Sequence, residues 1–163
     1  MSRLLICGVD DSRGARDAVR VAAGLAETLD GELLLVHVGS VPVAAGASGA
    51  SGVPGGLAQL AALALEDAEQ VLERVAADTG EPGAERRAAV GSAVDVLSRI
   101  AADEEASLIV VGSRGQGHLR AGLLGSVSAG LCRSAPCPVL VVPPAIAGLA
   151  RAGARAVAAA RRG

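Results

Sequence analysis

The chain alternates short, continuous apolar runs with segments whose apolar residues recur at helical spacing. Continuous apolar runs are typical of strands buried on both faces, as in a parallel sheet. Four such runs predict strands at 3–9, 32–38, 107–112 and 137–142. A weaker and more polar run at 84–90 lies where one further strand is needed, and its polarity favours an edge of the sheet.

Helical periodicity fills the intervals between these strands. The first helix has one apolar face and is predicted to end at Gly31, and the second is predicted to end at Gly80. The third begins with a pattern typical of a capping box, Ser92 followed by Asp95. A fourth helix should begin near Ser126.

The predicted elements follow the order β-α-β-α-β-α-β-α-β. Because crossovers between parallel strands are right-handed, this order predicts an α/β fold with an open, doubly wound, five-stranded parallel sheet. We take the strand order to be 3-2-1-4-5. The 163 residues suffice for one domain, which we place at 1–143. The Gly-rich segment 44–56 is predicted to be a flexible loop, and the Ala- and Arg-rich tail 144–163 to be helical or disordered.

The last predicted strand is strongly apolar, and the expected topology puts it at the second edge of the sheet. An exposed apolar edge strand invites pairing with other chains. Pairing with a second copy would cover it, so we expect a homodimer through residues 137–142.

The amino-acid composition excludes some kinds of catalytic and binding site. The chain has no Phe, Tyr or Trp, and all fifteen basic residues are arginines. A phosphate-binding lysine of the Walker type and a Schiff base are therefore excluded. Residues 1–105 carry eight arginines and all seventeen acidic residues, whereas residues 106–163 carry seven arginines and no acidic residue. The small net charge of −2 argues against nucleic-acid binding, and the local excess of arginine suits a small anion.

Cysteine usage and the absence of long apolar runs favour the cytoplasm. Cys7, Cys132 and Cys137 are odd in number and lack the spacing of a zinc or redox pair, so we expect three buried, reduced residues. No signal-peptide pattern is present, and no apolar run reaches the length of a membrane span. For the tail, a solvated state is favoured over a membrane-surface role.

The first and fourth predicted strands end in polar and glycine-rich stretches, GVDDS (8–12) and VVGSRG (110–115). In the expected strand order these two ends are neighbours at the point where doubly wound sheets bind ligands. Glycines let backbone N–H groups turn toward one point, and a helix that opens at Gly125 and Ser126 favours phosphate. Arg114 could replace the missing lysine by a bidentate contact. His118, Arg120 and the hydroxyl of Ser128 are further candidates on this segment.

Gly112, Gly115 and Gly125-Ser126 form the spacing G-x2-G-x9-G-[ST]. Together with ICGVDDS near the start and APCPVLVV at 135–142, it resembles the ATP-binding branch of the universal stress protein family over residues 3–142. The resemblance implies an adenine nucleotide alpha hydrolase-like fold. It also implies a dimeric regulatory protein of stress adaptation that binds ATP, with AMP, ADP and accompanying Mg²⁺ left open.

The resemblance also assigns site residues. It places Asp10 on the ribose or adenine side, where a carboxylate accepts hydrogen bonds from hydroxyls. Asp11 and Ser12 instead suit caps of the first helix, and His37 suits a hydrogen-bonded core histidine. The nucleotide-binding set predicted on this basis is Gly8, Val9, Asp10, Val38, Val111, Gly112, Arg114, Gly115, Gly125, Ser126, Val127 and Ser128.

Two other functions stay open at this point. A slow ATP hydrolase would use Asp10 and Asp11 for Mg²⁺ and Arg114 for the developing charge, but residues 106–163 offer no carboxylate base and only His118 as a substitute. An interaction module without bound nucleotide is disfavoured because the glycine motif is complete.

Overall fold

The computed structural model describes residues 3–41, 56–115 and 124–143. The predicted loop at 44–56, apart from Gly56, lies outside these ranges, as do His118, Arg120 and the tail at 144–163. The elements follow the predicted order: β1 Leu4–Gly8, α1 Arg13–Leu29, β2 Glu32–Gly39, α2 Gly56–Thr79, β3 Glu85–Val90, α3 Ala93–Asp103, β4 Leu108–Gly112, α4 Ser126–Ser134 and β5 Val139–Val142.

The five strands form one parallel sheet in the order β3-β2-β1-β4-β5. The predicted fold class and strand order are confirmed, and β3 and β5 are the two edges. Helices α1 and α2 pack on one face of the sheet, and α3 and α4 pack on the other. Strands β1 and β4 are therefore covered on both sides, which explains why their sequences are continuously apolar.

Two details at the helix ends differ from the sequence prediction. Helix α1 ends at Leu29, and Asp30 rather than Gly31 takes the left-handed conformation, with φ of 53°. An Asp tolerates this conformation better than most residues with a Cβ. Ser92 is the N-cap of α3, but its side chain makes no capping hydrogen bond, so the predicted capping box is wrong. Gly80 follows α2 with φ of 83°, as predicted.

The three cysteines lie in different environments. Cys7 is fully buried in β1, and burial raises the pKa of its thiol. Cys137 is half-buried, and Cys132 is exposed on α4. The prediction of three buried cysteines is therefore wrong for Cys132, because α4 packs on one side only. Within the described ranges, no helix combines the length and hydrophobicity needed to cross a bilayer.

Candidate functional site

The carboxyl ends of β1 and β4 lie side by side, with Gly8 in register with Val111. The chain leaves β1 for a helix on one face of the sheet and leaves β4 for a helix on the other face. This divergence opens a crevice at the strand ends, which is the usual ligand position in doubly wound sheets.

A cavity of about 310 Å³ occupies this crevice. All twelve residues of the predicted nucleotide-binding set line it: Gly8, Val9, Asp10, Val38, Val111, Gly112, Arg114, Gly115, Gly125, Ser126, Val127 and Ser128. Five further lining residues were not in that set: Ala15, Val36, His37, Ala93 and Leu97. Ala93 and Leu97 belong to α3. Sequence reasoning missed them because apolar residues at helical spacing predict only a face packed against the core.

The loop after β4 lies directly against the first turn of α1. A Cβ on Gly112 would lie 2.9 Å from the carbonyl carbon of Gly14 and 3.0 Å from its oxygen. A Cβ on Gly14 would in turn lie 2.9 Å from the carbonyl oxygen of Arg114. The two backbones can approach this closely because neither glycine has a side chain.

Asp10 lies between the two loops that form the crevice. Its Oδ1 accepts a hydrogen bond from the backbone N–H of Ser12 at 3.1 Å. A Cβ on Gly115 would collide with Oδ2 of the same carboxylate. The carboxylate of Asp10 is thus in the cavity wall, facing the glycine loop.

The N-terminus of α4 forms the opposite part of the wall. Gly125 is the N-cap and has no side chain to cap the helix, and its N–H donates to the carbonyl of Ser113 at 2.9 Å. The Oγ of Ser128 donates to the carbonyl of Gly125 at 3.0 Å. The single hydroxyl proton of Ser128 therefore holds the turn, whereas Ser126 is exposed at the cavity.

His37 is a hydrogen-bonded histidine, as predicted, but it also lines the cavity. Its Nδ1 lies 2.6 Å from the carbonyl oxygen of Val9. Because a carbonyl only accepts, Nδ1 carries the proton and Nε2 is the remaining ring nitrogen. A second cavity beside the first shares His37, Asp10 and Val38 with it.

Ser12 and Asp11 differ in their roles at the start of α1. Ser12 is the N-cap, and its Oγ accepts from the N–H of Ala15 at 3.1 Å, as predicted. Asp11 is not a cap, because its carboxylate accepts from Arg16 at 2.7 Å and from Arg74 at 3.2 Å. The hydrogen bond from Arg16 lowers the pKa of Asp11, and burial opposes it. Among the described residues, no three His, Cys, Asp or Glu side chains converge on a metal position.

The sequence of this chain is similar to those of known universal stress proteins. The model of the universal stress protein family matches residues 1–143. Universal stress protein Rv2623 of Mycobacterium tuberculosis is 37% identical over 140 residues, which are 85% of this chain and 46% of that protein. The chain thus spans about half the length of this relative. A universal stress protein of Thermus aquaticus is 32% identical over 143 residues, covering 87% of this chain and 99% of the relative.

A solved structure described as a universal stress protein in complex with cAMP has the same fold. The two share 25% sequence identity with a TM-score of 0.61. The match covers 86% of this chain and 96% of that one.

Proposed function

The chain belongs to the universal stress protein family, and on that premise we propose that it is an ATP-binding member, a dimeric regulator of stress adaptation. The observation that carries the proposal is the cavity of about 310 Å³ at the ends of β1 and β4. It joins an apolar end, a carboxylate, a glycine-rich loop and an uncapped helix N-terminus. A cytoplasmic location stays a prediction.

The apolar end of the cavity suits an adenine ring. Val9, Val38 and Val111 line it together with Leu97 and Gly8. Gly8 lets the side chains of Leu97 and Val111 pack against its backbone, since a Cβ there would lie 2.9 Å from the one and 3.0 Å from the other. With no aromatic residue in the chain, the base would pack between aliphatic side chains and bond to backbone groups. The cavity volume lies at the lower end of the range for small-molecule sites.

The glycine-rich end suits phosphate. Gly112 and Gly115 border the loop after β4, and α4 presents backbone N–H groups at Ser126 and Val127. The positive end of a helix dipole and converging N–H groups both favour an anion. Arg114 adds a full positive charge on the same wall. Because no three His, Cys, Asp or Glu side chains converge among the described residues, Mg²⁺ would be held chiefly by the phosphate oxygens of the nucleotide.

The related structure in complex with cAMP supports an adenine nucleotide as the class of ligand. The choice of ATP rests on the complete G-x2-G-x9-G-[ST] spacing and on the length of loop and helix available for a polyphosphate. AMP and ADP are the competing ligands.

Arg114→Gln should weaken the binding of phosphate groups without changing the binding of the adenine base. Losing a charge-assisted hydrogen bond is worth about 1.5–3 kcal/mol, so ATP affinity should fall by about tenfold or more, with adenosine affinity unchanged. Isothermal titration calorimetry of ATP, ADP, AMP and adenosine with Mg²⁺ measures both.

Arg133→Gln is the matched control, because Arg133 is exposed in the last turn of α4 and does not line the cavity. Absence of binding by the unmodified chain at millimolar ATP would defeat the proposed function. An equal loss for ATP and adenosine in Arg114→Gln would contradict the assignment of this end to phosphate.

The proposed dimer forms through the outer edge of β5. Within the described residues, β5 pairs only with β4. The carbonyls of Pro138 and Val142 accept from β4-side N–H groups of Ile109 and Ser113. Since bonding directions alternate along a strand, the N–H groups of Val139 and Val141 face outward, where a second copy can pair.

Val141→Pro should convert the dimer to a monomer. It removes an outward N–H while leaving the β4 ladder intact, and proline is tolerated on an edge strand in this orientation. Sedimentation velocity measures the change, and circular dichroism checks that the monomer is folded. Val141→Thr keeps the N–H and should stay dimeric. A monomeric parent chain, or a fully dimeric proline variant, would rule out this interface.

A further inference from the structure

A group of four charged residues lies beside the cavity and is not part of its wall. We call it the Arg16 cluster, and it consists of Asp11, Arg16, Arg74 and Asp78. Arg16 donates to Asp11 at 2.7 Å and to Asp78 at 2.9 Å, and Arg74 donates to Asp11 at 3.2 Å. The cluster therefore ties the start of α1 to the last turns of α2.

Arg16 also binds the backbone of the loop between β1 and α1. Its Nη1 donates to the carbonyl of Asp11 at 2.8 Å and to that of Ser12 at 3.2 Å. All three guanidinium nitrogens are thus engaged, two of them with this loop. A planar fork can satisfy such a set of acceptors at once, whereas a lysine ammonium cannot.

The loop that Arg16 holds is the one that orients Asp10. The carboxylate of Asp10 accepts from the N–H of Ser12, whose carbonyl is bound by Arg16. On its other side the carboxylate abuts Gly115 in the glycine loop. A shift of the backbone at Asp11 and Ser12 would therefore move Asp10 relative to the cavity.

We propose that Arg16 is a positioning residue that fixes the Asp10 carboxylate for the sugar hydroxyls of the bound nucleotide. The inference rests on the proposed function. The proposal also gives α2 a role, because α2 supplies Asp78 and Arg74 to the Arg16 cluster. Neither of these two residues lines the cavity.

Within the cluster, the Arg16–Asp11 pair is less exposed than an ordinary surface ion pair, whereas Arg74 and Asp78 are 48% and 53% exposed. The side chain of Arg16 is only 20% exposed and that of Asp11 31% exposed. The pair of Arg3 and Asp30, by contrast, is 61% and 98% exposed. Exposed pairs contribute little, whereas half-buried, multiply bonded arginines restrain the groups they contact.

Arg16→Gln tests the proposal through sugar discrimination. We expect the parent chain to bind ATP more tightly than 2′-deoxy-ATP, since Asp10 would accept hydrogen bonds from the ribose hydroxyls. In Arg16→Gln, ATP affinity should fall about tenfold, 2′-deoxy-ATP affinity should fall less, and the ratio of the two dissociation constants should approach one. General destabilisation would lower both affinities alike and leave this ratio unchanged.

Arg20→Gln is the matched control. Arg20 lies one turn further along α1 and donates to Asp17 and to the carbonyl of Asp78, but not to the β1–α1 loop. This variant should keep the ratio of the parent chain. Should Arg16→Gln fail to fold by circular dichroism, Arg16→Lys serves instead, with an intermediate loss of discrimination expected.

The outcomes separate the two proposals. No ATP binding by the parent chain defeats the proposed function itself. Equal affinity of the parent chain for ATP and 2′-deoxy-ATP leaves nucleotide binding intact but overturns the role of Asp10 and, with it, that of Arg16. A folded Arg16 variant that keeps the ratio, or a matching collapse of the ratio in Arg20→Gln, also overturns the inference.

Discussion

Gly112→Ala is expected to lower nucleotide affinity by at least about tenfold and the free energy of unfolding by about 1–3 kcal/mol. The added Cβ would meet the backbone carbon and oxygen of Gly14 at 2.9 and 3.0 Å and the N of Ala15 at 3.3 Å. Backbone atoms at the start of a helix cannot rotate away, so the loop after β4 has to move. That loop lines the glycine-rich end of the cavity, which we assign to phosphate.

Substitutions at two other glycines are expected to have different effects and serve as comparisons. At Gly115 an added Cβ would collide with Oδ2 of Asp10, the far end of a side chain that can rotate. Gly115→Ala should therefore weaken ATP binding with little change in stability. Gly83→Ala is the control, because its Cβ would meet nothing within 4 Å.

For the three variants, urea denaturation measures the free energy of unfolding and calorimetric titration measures the affinity for ATP. Parent-like affinity and stability in Gly112→Ala would show that the two backbones can separate without harm. A stability loss in Gly115→Ala as large as that in Gly112→Ala would contradict the distinction between backbone and side-chain neighbours.

Leu131→Ala is expected to cost about 2–5 kcal/mol of unfolding free energy and to weaken nucleotide binding as well. Leu131 is 1% exposed and packs in the core between the sheet and α3. Within the nine residues of α4, all of them described, only Ser128 and Leu131 are buried. A helix this short is not stable by itself, so Leu131 holds in place the N-terminus that faces the cavity.

Leu124→Ala is the control for this prediction, because Leu124 adjoins the same helix but is 50% exposed. Its effect on stability should stay within about 0.5 kcal/mol. Thermal and urea unfolding give the stabilities, and an ATP titration gives the affinity. A Leu131→Ala chain that is destabilised yet binds ATP like the parent would show that the phosphate end does not depend on the packing of α4.

The glycines of the candidate site could be predicted from sequence because their use is local. A turn that follows a buried strand needs residues without side chains, and the spacing of Gly112, Gly115 and Gly125 records that need. Ser12 at the start of α1 is a similar case, since its capping bond spans three residues. Such short-range requirements leave a pattern in the chain itself.

Contacts over long sequence distances left no comparable pattern. Asp11 looks in sequence like a second cap, but it pairs with Arg74, 63 residues away, and Arg16 pairs with Asp78, 62 residues away. Leu97 looks like a core residue of α3, yet it also borders the cavity. Each assignment depends on how one helix lies against another, which helical periodicity does not specify.

The sequence by itself determined the order of the elements, the burial of the central strands and the glycines at the crevice, and its resemblance to the universal stress protein family supplied the full set of twelve lining residues. Hydrophobic period and glycine spacing suffice for the first three, because they reflect local backbone geometry and the burial of whole faces. Only the tertiary structure decided which charged side chains pair across helices, that Ser128 holds a turn and that His37 borders the cavity. Those outcomes depend on distances between separately folded segments, and such distances exist only once the core has packed.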